Sequence, residues 1–174
     1  EDEQIDSLEK LEFYPKAIST LKKITSELDY ELVMVTNQDG LGTDSFPEET
    51  FWPAHNKMLT TLKNEGVEFS EIIIDKTFPK DNAPTRKPGV ALLQQYIQGD
   101  YDLANSYVIG DRTSDIQLAK NLGSKSVFIN SEENNTATIT TLDWDEIFEE
   151  LKKENRSATI ERNTRETEIE IELN

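Results

Sequence analysis

The sequence predicts a single α/β domain with a parallel sheet and helices on both of its faces. Two observations predict it. Short apolar runs rich in β-branched residues alternate four times with segments of helical periodicity. The residues able to do chemistry cluster just after those runs, at the carboxyl ends of strands, where such sheets bind their ligands. At 174 residues the chain has the length of one ordinary domain with a real core.

The elements follow in order. Ile18, Leu21, Ile24 and Leu28 recur at helical spacing across residues 15–28, and Pro15 suits a first helical turn. Residues 31–36 (ELVMVT) read as a strand that ends in the turn signal Asn37-Gln38-Asp39-Gly40. A helix is predicted from Pro53 to Glu65, stopped by Gly66, and a strand over 71–75 (EIIID). Residues 76–84 hold two prolines and read as loop. After Pro88, the residues Ala91, Leu92, Leu93, Tyr96 and Ile97 predict a helix that ends near Gly99. Next come a strand at 106–110, a helix at 114–122 closed by Gly123, and a strand at 125–129. Residues 130–142 are polar and threonine-rich, as in an exposed connection. Trp144, Ile147, Phe148 and Leu151 form the apolar face of a last helix. In the tail, Ile169, Ile171 and Leu173 alternate with glutamates at a strand period.

Composition excludes several function classes. The formal net charge is -17, from 35 acidic and 18 basic side chains, and it repels a nucleic-acid backbone. The chain has no cysteine, so it can form neither disulfides nor thiolate metal cages. It has no apolar run of membrane-spanning length and no basic-then-apolar leader, so neither membrane nor nucleic acid is an expected partner and a cytoplasmic location is expected. An enzyme this acidic that acts on a phosphate ester needs local positive charge, a metal ion, or both.

Three features fall at the predicted strand ends. Thr36 and Asn37 offer a hydroxyl and an amide to phosphate oxygens, although Thr-Asn is also ordinary turn chemistry. Arg86-Lys87-Pro88 places an ammonium just before a helix start, where it can hold phosphate or developing negative charge, although a lone Arg-Lys is commonly a solvated pair. Gly110-Asp111-Arg112-Thr113-Ser114-Asp115 turns sharply off a strand and presents Asp111, with Asp115 one helical turn further. Two carboxylates there suit Mg²⁺, whereas Asp115 also suits the first turn of a helix capped by Thr113 or Ser114.

The order Thr-Asn, Lys-Pro, Gly-Asp-x-x-x-Asp resembles motifs two to four of the haloacid dehalogenase superfamily. The segment from Thr36 through Gln38, Asp39, Gly40, Leu41, Gly42 and Thr43 to Phe46-Pro47 is more specific. With Phe51, Pro53-Ala54-His55-Asn56 and Ala104–Ala119, it resembles the histidinol-phosphate phosphatases over about residues 8–150. The resemblance implies a Rossmann-like parallel sheet and hydrolysis of L-histidinol phosphate, in histidine biosynthesis, through an aspartyl-phosphate and with Mg²⁺ as cofactor. Under it, Lys87, Thr36 and Asn37 act on the phosphoryl group, and Gln38, Asp39, Gly40 and Arg86 contact substrate. Asp111 ligates the metal, with Asp115 a lesser candidate. The competing readings are a heptose-bisphosphate or other sugar-phosphate phosphatase, and a catalytically dead domain that binds phosphate or a partner. His55, the only histidine, lies near the predicted helix start, where an exposed or capping imidazole is the commoner case. Phe46, Phe51 and Trp52 are expected to pack a flap beside the site.

Two departures from the family stand out. Relatives with a zinc loop before Lys-Pro use cysteines and a histidine, and the matching positions here are Asp75, Thr77, Ala83 and Thr85, so no zinc is expected. The nucleophile motif Asp-x-Asp-Gly-Thr does not occur in the sequence. The resemblance puts that motif on a first, central strand upstream of Glu1, which leaves the fragment itself without expected turnover. The chain therefore divides, as an expectation, into a phosphatase domain over 1–153 and a linker over 154–174. The linker resembles the opening of imidazoleglycerol-phosphate dehydratase, to which bifunctional relatives are fused.

Overall fold

A computed structural model describes residues 4–153. The expected tail strand and dehydratase-like segment lie outside the described residues. Five parallel-paired strands are present: β1 (Val33–Asn37), β2 (Glu71–Asp75), β3 (Tyr107–Gly110), β4 (Lys125–Phe128) and β5 (Ile139–Thr140). The helices are α1 (Ala17–Glu27), α2 (Glu48–Asn64), α3 (Gln94–Gln98), α4 (Thr113–Leu122) and α5 (residues 144–153). Short 3₁₀ turns sit at Pro79–Asp81 and, leading into α3, at Ala91–Leu93.

The strands form two sheets, β1-β2 and β3-β4-β5. Thr36 stands beside Ile74 and Asn37 beside Asp75, while Gly110 stands beside Phe128, so the reactive strand ends point the same way along their ladders. Among the described residues β1 and β3 each pair on one side only, and Val33 and Val35 of β1 share an apolar cluster with Val108 of β3.

Helices cover both faces because successive strand residues face opposite ways. In β3, Tyr107 and Ile109 pack on a core of Ala17 and Ile24 from α1, Val127 and Ile129, and Trp144, Ile147, Phe148 and Leu151 from α5. Val108, between them, packs with Val33 and Val35 against Ile73, Leu93 and Leu118 on the other side. Fully burying side chains such as Ile24 and Ile147 stabilises by about 1.5–3 kcal/mol each.

Four elements differ from the sequence expectation. The second helix starts at Glu48, not Pro53, and Pro53 lies inside it. Extended Pro47 caps it, Glu48 and Glu49 suit the positive helix start, and buried Phe51 anchors the first turns. Proline costs one backbone hydrogen bond there, and the Leu41–Phe46–Phe51 cluster outweighs that loss. The helix after Pro88 divides into a 3₁₀ turn and the five-residue α3. The connection 130–142 contributes β5, which extends the sheet beside β4. The N-cap of α4 is Arg112, not Thr113 or Ser114.

Candidate active site

The turn after β1 and the loop after β2 are built as one unit. The Gln38 N–H donates to the carbonyl of Asp75 at 2.7 Å, and the Gly40 N–H donates to that of Lys76 at 3.0 Å. Gly40 adopts φ +71°, and a Cβ there would lie 2.4 Å from the Phe78 ring, so turn and loop can meet only over a glycine. Thr36 Oγ1 accepts from Gln38 Nε2 at 2.8 Å.

Asn37 does more than its motif implies. Its Oδ1 accepts from the Lys87 N–H at 3.0 Å, and its Nδ2 donates to the Lys87 carbonyl at 3.3 Å. The amide thus grips the backbone of the residue that carries the ammonium. Lys87 Nζ in turn donates to Asp115 Oδ1 at 2.8 Å, with side-chain exposures of 15% and 7%. The other Asp115 oxygen accepts from the Arg112 N–H at 3.2 Å at the start of α4. Asp115 therefore spends its carboxylate on Lys87 and on a helix start. Gly110 explains why the motif begins with glycine: a Cβ there would lie 2.2 Å from Asp115 Oδ2.

Asp111 sits at the exposed end of β3. Its charge reaches Tyr14, whose phenol pKa is raised first by burial and then by Asp111. Arg86, half-buried, binds both carboxylate oxygens of Asp39 and donates to the Thr77 carbonyl at 2.8 Å. Thr36, Asn37, Lys87, Asp115 and Asp111 are thus linked by direct contacts or by adjacency in the chain at one edge. Asp39, Gly40 and Arg86 join the same edge through the turn.

His55 differs from expectation. It is buried, stacked on Phe51 at a centroid distance of 4.8 Å and edge-on to Trp52 at 5.6 Å. Burial lowers its pKa, so it is a neutral core residue. Phe46 and Phe51 do form a buried cluster beside the loop, as expected.

The sequence reading gave Asp75 no role of its own. Its carboxylate is buried at the end of β2 and accepts from the N–H and hydroxyl of Thr77. Burial opposes its charge, but those donors and the Arg86 guanidinium prevail, and its pKa lies below the ordinary carboxylate value. A strand-ending Asp with Thr two residues on is the available sequence signal. Among the described residues, no three His, Cys, Asp or Glu side chains cluster as a metal cage. Asp111, exposed at the end of β3, offers a hard carboxylate oxygen there, which suits an ion such as Mg²⁺ that keeps most of its waters.

Residues 84–153 match the HAD-hydrolase-like family model. The chain is 52% identical to the histidine biosynthesis bifunctional protein HisB of Spirosoma linguale, over 99% of this chain and 50% of that protein. It is also 52% identical to the HisB of Bacteroides fragilis, over 99% and 49%. The chain thus spans about half the length of the curated relatives it matches. Its fold is similar to that of D,D-heptose 1,7-bisphosphate phosphatase from B. bronchiseptica, solved with magnesium and phosphate. The TM-score is 0.72 at 23% identity, over 88% of this chain and 91% of that one. The HAD-type α/β fold expected from the motifs is therefore the fold found.

Proposed function

We propose that this chain forms the phosphatase part of a bifunctional histidine-biosynthesis enzyme and binds the phosphate of L-histidinol phosphate for hydrolysis. The observation that carries the reading is the buried Lys87 ammonium, held by Asp115 and gripped through its backbone by Asn37. It offers a preorganised positive charge on a chain of net charge -17. The 52% identity to two HisB proteins supports the substrate.

In this reading Lys87 neutralises the phosphoryl oxygens, and the Thr36 hydroxyl, which accepts from Gln38, keeps its own proton to donate to one of them. Asn37 keeps Lys87 in place. Arg86 adds a second positive charge at the rim. Asp39, shared with Arg86 and 36% exposed, faces the cationic end of the substrate, between Gln38 and Gly40. Asp111 would hold Mg²⁺, which when bound supplies further charge neutralisation at the phosphoryl group. The attacking aspartate of the family is not among this chain's residues, since Asp-x-Asp-Gly-Thr does not occur in its sequence. The fusion partner proposed is an imidazoleglycerol-phosphate dehydratase domain, and the proposed compartment is the cytoplasm. No helix of the described residues is long and apolar enough to cross a membrane.

The fold neighbour favours one second reading, a heptose-bisphosphate phosphatase. Phosphate release by the full-length protein from histidinol phosphate and from heptose 1,7-bisphosphate, each with Mg²⁺, separates the two. Faster turnover of the sugar bisphosphate would overturn the first reading.

A further inference from the structure

We propose that Asp75 is a positioning residue: its carboxylate clamps segment 76–87 onto the 38–40 turn and so sets where Arg86 and Lys87 present their charges. The inference deepens the phosphatase reading and rests on it.

Asp75 is 6% exposed, and a buried carboxylate persists only where donors surround it. Here both donors come from the segment it would hold: the Thr77 N–H at 2.9 Å and the Thr77 hydroxyl. The segment needs such a clamp. Its only regular structure is the three-residue turn Pro79–Asp81, and it has no ladder to a strand.

The clamp then passes to the charges. Thr77, held by Asp75 through its N–H and hydroxyl, accepts from Arg86 at its carbonyl, and Arg86 reaches across to Asp39. Thr85 precedes Arg86, and Lys87 follows it. The backbone of Lys87 is gripped by Asn37, which stands beside Asp75 in the β1–β2 register. The Asp75 carbonyl also accepts from Gln38, so both ends of the residue tie the loop to the turn.

The test uses Asp75→Asn, Thr77→Val and the wild type in the full-length protein, with three readouts. They are amide hydrogen exchange across 76–87, calorimetric binding of inorganic phosphate with Mg²⁺, and KM and kcat for histidinol phosphate. With charge-assisted bonds lost, Asp75→Asn should speed exchange across 76–87 by about 10–100-fold, and Thr77→Val, which loses the hydroxyl donor alone, by about 5-fold, with α1 and α5 unchanged. Phosphate affinity should fall about 10-fold in Asp75→Asn, and KM should rise. Should Asp75→Asn fail to fold, Thr77→Val, which keeps the carboxylate, carries the test. Unchanged exchange in 76–87 overturns the inference, as does an opened segment with undiminished phosphate affinity. A wild type that binds no phosphate counts instead against the phosphatase reading, and the exchange measurement still decides the clamp.

Discussion

Lys87 and Asp115 form the one close ion pair at the site with both partners largely out of water, and removing either partner has a calculable consequence. In Lys87→Met the Asp115 carboxylate, 7% exposed, keeps only the Arg112 N–H as a partner. Stranding a buried charge costs about 3–5 kcal/mol, and at the lower figure the melting temperature of a chain this size falls by about 6–12 °C. Asp115→Asn costs less, about 1–2 kcal/mol, because the amide oxygen can still accept from Arg112 and the Lys87 ammonium, 15% exposed, can turn towards water. The double variant Lys87→Met/Asp115→Asn leaves no charge to strand. It should lie within about 1 kcal/mol of wild type, a coupling of about 3 kcal/mol between the sites. All three variants should lose phosphate binding or weaken it severely, so stability and function separate in the double variant. Urea unfolding followed by circular dichroism measures the cycle. Single costs that add to within about 0.5 kcal/mol would show that the pair does not exist in solution and would remove the central charge of the proposed site.

Other expectations rest on single contacts. Gly110→Ala should destabilise by about 1–3 kcal/mol and abolish phosphate binding, because its Cβ would displace the Asp115 oxygen 2.2 Å away; wild-type affinity in that variant would contradict the geometry. His55 has a pKa lowered by burial, so the unfolded chain binds its proton more readily than the folded one. The stability it contributes is complete above the ordinary histidine value near 6.5 and is lost as pH falls below that value. Replacing it with Gln should flatten this part of the stability profile, read by urea unfolding between about pH 5 and 7.5. A chelator should leave segment 76–87 folded, since side chains that bind no zinc hold it together. Faster exchange there after chelation would refute this.

The sequence expectations succeeded and failed for identifiable reasons. Strands and element ends were legible because β-branched runs, the glycines 40 and 110 beside strand ends and the glycines 66 and 123 after helices are local signals. The start of α2 was misread because proline is a strong local marker. The actual start is decided by the burial of Phe51 against Leu41 and Phe46, residues brought together by a turn. The strand β5 was hidden in a polar stretch of two-residue pairing that has value only beside β4. His55 looked exposed because local pattern cannot see the Phe51 and Trp52 rings that enclose it.

By itself, the sequence determined the α/β class, the placement of Thr36, Lys87 and Asp111 on successive strand ends, and the acidity that makes local positive charge necessary. The tertiary structure alone decided the partnerships. It tied the Asn37 amide to the backbone of Lys87, assigned Asp115 to that ammonium, and joined Asp75 to Thr77. The reason is physical. Periodicity and turn chemistry act over a few residues, whereas Asn37 and Lys87 are 50 residues apart and Lys87 and Asp115 are 28 apart. Contacts at those separations exist only once the strands have been laid side by side.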